Sequence, residues 1–196
     1  MSMAQVPADS AALVPRPFRV ARVRRELRDV STLELEAGDG APVRFQPGQF
    51  TMVYAFGVGG VPLSISGDPA KPEVLVHTGR AVGAATRAVC AAGKGDVLGV
   101  RGPFGEGWPV EAAAGRDVVI MAGGLGLAPL RPLVCAVLAR RRAFGRILLL
   151  AGARTPASLL FPRELARWRA RFDLDVQATV DAGGPSWNGE VGVITT

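Results

Sequence analysis

The stretch from Asp117 to Leu130 holds the residue types and spacing best suited to binding a nucleotide. An apolar run of strand length, Val118 to Ala122, leads into Gly123, Gly124, Leu125 and Gly126. Leu127, Ala128 and Pro129 follow, and a helix is predicted from about Pro129 to Arg142. Strand, glycine turn and helix in that order make a phosphate cradle. Glycines let the backbone come close to an anion, and the free N–H groups of the first helical turn point at it. Pro129 and Pro132 suit that turn, where a missing N–H costs least. The pattern departs from the usual dinucleotide fingerprint, because Pro129 stands where a third Gly or Ala is expected. No acid follows the next predicted strand, Arg146 to Ala151; Arg154 is there instead. Two other readings compete: a glycine turn of any α/β protein, and a membrane span over Val118 to Ala139. The three glycines, Pro129, Pro132 and Arg131 argue against the span.

Composition narrows the function classes. With 196 residues, 48% of them apolar, the chain can form one large or two small domains. A formal charge of +6 invites a nucleic-acid reading. However, only Lys71 and Lys94 are lysines, the arginines are scattered apart from Arg140-Arg141-Arg142, and aromatics are 6%. A base-stacking platform is not expected, nor a nucleic-acid partner. The arginine triplet is expected late in a helix, where cations suit the dipole. A basic surface suits an acidic protein partner or an anionic nucleotide. Cys90 and Cys135 lie in apolar helix-like runs without metal spacing, and His77 is the one histidine. No metal site or iron–sulfur cluster is expected within this chain. Two buried free thiols suit a reducing cytoplasm, and Met1 to Val14 lacks the basic start of a signal peptide. The expected location is cytoplasmic, with no transmembrane segment.

The elements that would position the cradle read as two domains after a loose proline-rich arm over residues 1–17. Residues 18–101 are predicted to be an antiparallel β domain. Phe18, Val20 and Val23 open the first strand, and Ser31 to Ala37 alternates cleanly. Gln49 to Phe56 reads as a strand buried on both faces, with a turn over Gly57 to Gly60. Val61 to Ser66 and Glu73 to Thr78 flank the turn Gly67-Asp68-Pro69. Ala84 to Ala92 reads as a helix and Asp96 to Arg101 as the last strand. Frequent turns between short strands suggest a small barrel. Residues 102–116 connect. From 117 to 196 the pattern becomes β-α-β: helices over 129–142 and about 162–171, strands over 117–122, 146–151 and 174–180. That is parallel-sheet, Rossmann-like organisation.

Three segments sharpen this pairing: Val61-Pro62-Leu63-Ser64-Ile65-Ser66, then His77-Thr78-Gly79-Arg80-Ala81-Val82-Gly83-Ala84-Ala85-Thr86, and the Gly123 to Pro129 cradle. With Gly102-Pro103-Phe104-Gly105 they resemble the ferredoxin–NADP⁺ reductase superfamily. The nearest resemblance is to the gamma (diaphorase) subunits of cytoplasmic NiFe hydrogenases and sulfhydrogenases, and to dihydroorotate dehydrogenase electron-transfer subunits. The resemblance implies a six-stranded antiparallel β-barrel that binds FAD, a Rossmann-like domain that binds NAD(P)H, and hydride transfer between them. It also implies an iron–sulfur or hydrogenase-type redox partner. By position, Val61 replaces an Arg that holds the FAD pyrophosphate and Leu63 replaces an aromatic that stacks on the flavin. Ser64 keeps the place beside flavin N5. Arg80 is the candidate to replace the lost cation. Gly83 and Thr86 open the Ala84 to Ala92 helix, whose N–H groups can hold the pyrophosphate; Thr86 reads equally as an ordinary first-turn cap.

Hydride transfer needs close alignment of the two rings, exclusion of water and a hydrogen bond at N5, which falls to Ser64. A strand-end Ser can instead bond its own backbone. His77 is read as structural rather than catalytic. Trp108 and Phe104 fit either the flavin edge or the core. Arg154 fits a 2′-phosphate, which would select NADP, or stacking on adenine. The family continues with a further strand and, in the hydrogenase-type and orotate-type subunits, a four-cysteine [2Fe–2S] site. Neither is in this sequence, which reads as a fragment or a naturally truncated protein, with the fragment favoured. Two alternatives stay open: a nucleotide-binding assembly subunit that has lost flavin, and a stand-alone flavin reductase.

Overall fold

The computed structural model describes residues 14–194. Most of the expected arm, and Thr195 and Thr196, lie outside the described residues. The first half begins with a hairpin, β1 (Arg16–Leu27) and β2 (Val30–Ala37). Leu33 and Leu35 are buried, as alternation predicts. A register shift between Val20 and Arg22 explains why the apolar positions of β1 run Phe18, Val20 and then Val23: the irregularity changes the phase of the strand. Then come β3 (Phe50–Ala55), β4 (Gly59–Ser64), β5 (Leu75–Arg80), α1 (Ala84–Ala91) and β6 (Val97–Phe104). The six strands pair antiparallel in the order β4-β3-β6-β1-β2-β5. A bridge between Ile65 and His77 links the two outer strands and closes the barrel.

Three local expectations are corrected. β3 is not buried on both faces: Thr51, Val53 and Ala55 face the core, while Phe50, Met52 and Tyr54 are half-exposed. A single sheet face meets the barrel core, so even an apolar strand alternates. β4 starts at Gly59, inside the expected turn, because Gly59 and Gly60 pair with Ala55 and Tyr54. β6 runs to Phe104, past the expected end at Arg101. Gly102 adopts φ +120 before a cis peptide to Pro103, and Phe104 still pairs with Phe50.

The second half contains β7 (Val118–Gly123), α2 (Leu127–Ala139), β8 (Ile147–Ala153), α3 (Pro162–Arg169), β9 (Asp175–Val180) and the short β10 (Glu190–Val191). All four strands are parallel, in the order β10-β9-β8-β7. Ile120, Ala122, Leu149 and Ala151 share one buried cluster with Val134 and Val137 of α2 and Leu165 and Trp168 of α3. On the opposite face of β7, Val119 and Met121 are exposed. Leu27 and Val30, from the β1–β2 turn, belong to this second cluster rather than to the barrel's own. That contact fixes the hairpin against the α/β unit.

The arginine triplet is also corrected. α2 stops at Ala139, Arg140 leaves helical geometry at φ −120 and ψ 36, and Arg141 to Ala143 form a 3-10 turn. Arg141 donates to the carbonyls of Asp173 (2.6 Å) and Phe144 (2.9 Å), and Arg140 pairs with Glu111. The last pair is exposed and contributes at most about 1 kcal/mol.

Candidate functional site

The cradle forms where β7 ends. Gly123 closes the strand, Gly124 takes φ +52, Gly124 to Gly126 make a 3-10 turn, and α2 starts at Leu127. The left-handed φ at Gly124 suits a residue without Cβ. A Cβ built at Gly123, Gly124 or Gly126 would meet nothing within 4 Å, so the space above the turn is open. Leu127 and Ala128 are buried and anchor the first turn of α2, which also holds Pro129.

This turn opens on a cavity of about 620 Å³ at the seam. Gly123, Gly124, Leu125, Gly152 and Arg154 line it from the α/β unit; Leu27, Arg28, Asp29 and Arg80 line it from the barrel. Its volume is that of a small-molecule site. Arg28, Arg80 and Arg154 stand in its lining beside the carboxylates Glu26, Asp29 and Asp181. Arg80 Nε lies 3.1 Å from Asp29 Oδ2, near enough to pair in charge but misaligned for a hydrogen bond. That buried Nε therefore has no hydrogen-bond partner among the described residues. An orphaned donor beside an open glycine turn fits an anionic ligand.

The barrel residues divide. Ser64 ends β4, and its Oγ has no hydrogen bond with another described residue. Its carbonyl accepts from His77 Nδ1 at 3.0 Å, and His77 Nε2 lies 3.0 Å from Thr51 Oγ1. A carbonyl only accepts, so Nδ1 carries the proton and Thr51 donates to Nε2. His77 is fully buried, and burial lowers its pKa to about 4 against the Ser64 hydrogen bond, which raises it. The imidazole is neutral and serves as a strut for Ser64. Val61 and Leu63 pack on the barrel core, with Leu63 against Gly79; Ile65 is buried and Pro62 is exposed. None offers a cation or an aromatic ring.

Thr86 caps its own helix. Its hydroxyl accepts from the N–H groups of Val82 (3.1 Å) and Gly83 (2.8 Å) and donates to the Gly83 carbonyl (3.1 Å). The first-turn N–H groups of Ala84 and Ala85 have no partner among the described residues, which fits a pyrophosphate more thinly than an Arg-bearing site. Thr78 Oγ1 is turned into a buried chain with Thr32 Oγ1 and Ser66 Oγ, 2.9 Å each, so its side chain is committed to the protein. Phe104 packs on Phe50 with ring centroids 5.8 Å apart, and Trp108 covers Gly48.

Sequence reasoning missed Asp29, the partner of Arg80, and Arg131, whose guanidinium crosses the seam to the Ser66 carbonyl at 2.5 Å. Asp29 sits in the two-residue hairpin turn between β1 and β2 and reads as an ordinary turn acid. A cation inside the otherwise apolar run of α2 was the one available signal for Arg131.

Residues 120–196 match the Oxidoreductase NAD-binding domain family. The chain is 39% identical over 121 residues to the sulfhydrogenase 1 gamma subunit of Pyrococcus furiosus, covering 62% of this chain and 41% of that one. It is 37% identical over 156 residues to a probable dihydroorotate dehydrogenase B (NAD⁺) electron-transfer subunit of Methanocella arvoryzae, covering 80% and 54%. The chain thus spans about half the length of the curated relatives it matches. Among solved structures, the flavohem-like FAD/NAD-binding domain of nitric oxide dioxygenase from Vibrio cholerae O1 biovar El Tor superposes with a TM-score of 0.78. Identity there is 18%, over 91% of this chain and 78% of that one, which speaks for the fold. A closed antiparallel barrel joined to a parallel α/β unit, with a glycine turn at their seam, is thus the fold shared with this FAD/NAD-binding domain, and the chain is similar in sequence to the electron-transfer subunits of sulfhydrogenase and dihydroorotate dehydrogenase.

Proposed function

We propose that this chain is the flavin- and NAD(P)H-binding part of an electron-transfer oxidoreductase, passing reducing equivalents to an iron–sulfur partner subunit. The observation that carries this reading is the seam cavity, built from the glycine turn on one side and Arg80 with Asp29 on the other. When bound, the two dinucleotides supply the redox chemistry: a hydride moves between nicotinamide C4 and flavin N5. The chain's own residues bind, orient and exclude water. Gly123, Gly124 and the first turn of α2 hold the nicotinamide nucleotide's phosphates, and Arg154 lies beside its adenosine half. The open first turn of α1, with Arg80, holds the flavin's pyrophosphate. Ser64 keeps its hydroxyl free for flavin N5. Among the described residues no cluster of three or more His, Cys, Asp or Glu could hold a metal. The free, largely buried thiols of Cys90 and Cys135 suit a cytoplasmic setting. No helix is long and apolar enough to cross a membrane among the described residues.

The test is spectroscopic. The purified chain, supplied with FAD and desalted, retains a flavin spectrum, and anaerobic NADH or NADPH bleaches it. Absence of retained flavin, or a flavin neither nucleotide reduces, rejects the reading. The apolar Val61 and Leu63 favour one alternative, an assembly subunit that binds a nicotinamide nucleotide without flavin. That alternative gives nucleotide binding in a colourless protein.

A further inference from the structure

Arg131 sits on α2, one turn beyond the cradle, and all three nitrogens of its guanidinium are engaged. Nε and Nη2 grip the Glu164 carboxylate at 2.6 and 2.9 Å. Nη1 reaches across the seam to the Ser66 carbonyl. The flat face lies over the Phe161 ring, 5.7 Å from its centroid. Both charged side chains are largely buried, 19% and 13% exposed. Phe161 holds φ 54, a left-handed backbone that a bulky residue adopts only when its surroundings enforce it. Arg24, from β1, covers the same ring at 6.0 Å.

The barrel side is equally fixed. Arg24 Nε meets Glu26 Oε1 at 2.5 Å, and Thr32 Oγ1 lies 2.8 Å from the same oxygen. A carboxylate only accepts, so protons order along the hydroxyl chain: Thr32 donates to Glu26, Thr78 to Thr32, and Ser66 to Thr78. Ser66 is thus held by its hydroxyl from the barrel and by its carbonyl from α2. It lies two residues beyond Ser64, whose own carbonyl His77 holds.

On the strength of the function proposed above, we infer that Arg131 is a positioning residue for hydride transfer. It sets where the nucleotide cradle on α2 stands relative to the Ser64 end of β4, and so the approach of the two redox rings. It touches neither ring. A bidentate fork on Glu164 makes it rigid, which a lysine would not be. Transfer rates respond steeply to such placement: a 1 Å error can cost about a hundredfold.

The experiment compares wild type with Arg131→Lys and with the double variant Arg131→Met/Glu164→Met. The double variant removes both charges together, so no buried ion is left unpaired and the fold is kept. Anaerobic rapid mixing measures flavin reduction, the nucleotide Kd and the nicotinamide–flavin charge-transfer absorbance. The expected result is a reduction rate at least about tenfold lower in both variants, with a weakened charge-transfer band. Flavin content and nucleotide Kd should stay within about threefold. A rate within threefold of wild type overturns the inference, as does a loss explained by weaker nucleotide or flavin binding. A second readout needs no cofactor: pulsed electron–electron distances between spin labels at Lys94 and Arg142. The inference requires a narrow distribution in wild type and a broader or shifted one in the double variant; unchanged distances refute it. If wild type binds no flavin, the functional reading fails while these distances still judge the strut.

Discussion

His77 makes a sharp prediction about stability and pH. Its pKa is lowered to about 4 by burial, while an unfolded chain returns it to 6.5. Above pH 6.5 the imidazole is neutral in both states, and its contribution is complete. As pH falls, the unfolded chain takes up a proton that the folded one refuses, so stability is lost between 6.5 and about 4 and then levels off. At 1.36 kcal/mol per pH unit the full loss is roughly 3 kcal/mol, a large share of a typical domain's stability. The window belongs to one residue. His77 is the only histidine, and Asp39 and Asp173, whose pKa values are pushed down from 3.8, act below it. For Asp39 the main cause is the hydrogen bond from the Ala41 amide; for Asp173 it is that from Arg171.

The assay is urea unfolding of wild type and His77→Gln at pH 7.5, 6.5, 5.5 and 4.5. Glutamine can still donate to the Ser64 carbonyl and accept from Thr51, but it does not titrate. The difference in unfolding free energy between the two proteins should shift by about 2–3 kcal/mol across the series, in favour of the Gln protein at low pH. Parallel curves would refute both the neutral assignment and the strut role drawn from it. Titration common to both proteins cancels in the difference.

Three further outcomes follow from the site. Gly123→Val adds bulk into the open cavity at a β-region backbone, φ −100, so calorimetry should show nucleotide binding at least tenfold weaker with an unchanged unfolding midpoint. Arg154→Ala distinguishes the two readings of that residue: a loss confined to NADPH identifies a 2′-phosphate contact, and an equal loss for NADH identifies adenine stacking. Burial raises the Cys135 pKa to about 11 and also raises that of Cys90. At pH 8 the Cys135 thiolate fraction is then about one in a thousand, so both thiols should resist disulfide reagents until urea unfolds the chain.

Much of this architecture was legible because it is written in local periods. The alternation of Leu33 and Leu35 gave β2, and the run from Val118 into three glycines gave β7 and its turn. What escaped depends on contacts between distant residues. Gly59 and Gly60 read as a turn until β3 supplies their partners, and Gly102-Pro103 reads as a linker until Phe50 pairs with Phe104. Within the candidate site, the glycines that line the cavity were visible by type and order. The competition at Thr86 was not resolvable by sequence, since capping and phosphate binding ask for the same residue at the same position. The Arg131 contact joins residues 65 apart, and no local pattern announces it.

The end of β4 shows how a weakened motif can keep its geometry. Val61 and Leu63 offer neither charge nor ring, so the strand cannot rely on ligand contacts to fix its position. The protein fixes it from behind instead. His77 holds the Ser64 carbonyl from within the barrel, Arg131 holds the Ser66 carbonyl from the α/β unit, and buried Ile65 sits between them. Each contact uses a backbone oxygen, which leaves the Ser64 hydroxyl unspent. Residues that bind a ligand directly can therefore drift while the frame persists, provided both carbonyls stay held. On this argument, losing both holds together should cost more than the two separate losses combined, because either one alone still limits how far Ser64 can move. A cycle of His77→Leu, the paired Arg131→Met/Glu164→Met change and their combination, none of which leaves a donor at the carbonyl concerned, measures that coupling by the anaerobic flavin reduction rate. Simple additivity would mean that the two carbonyls are held for unrelated reasons.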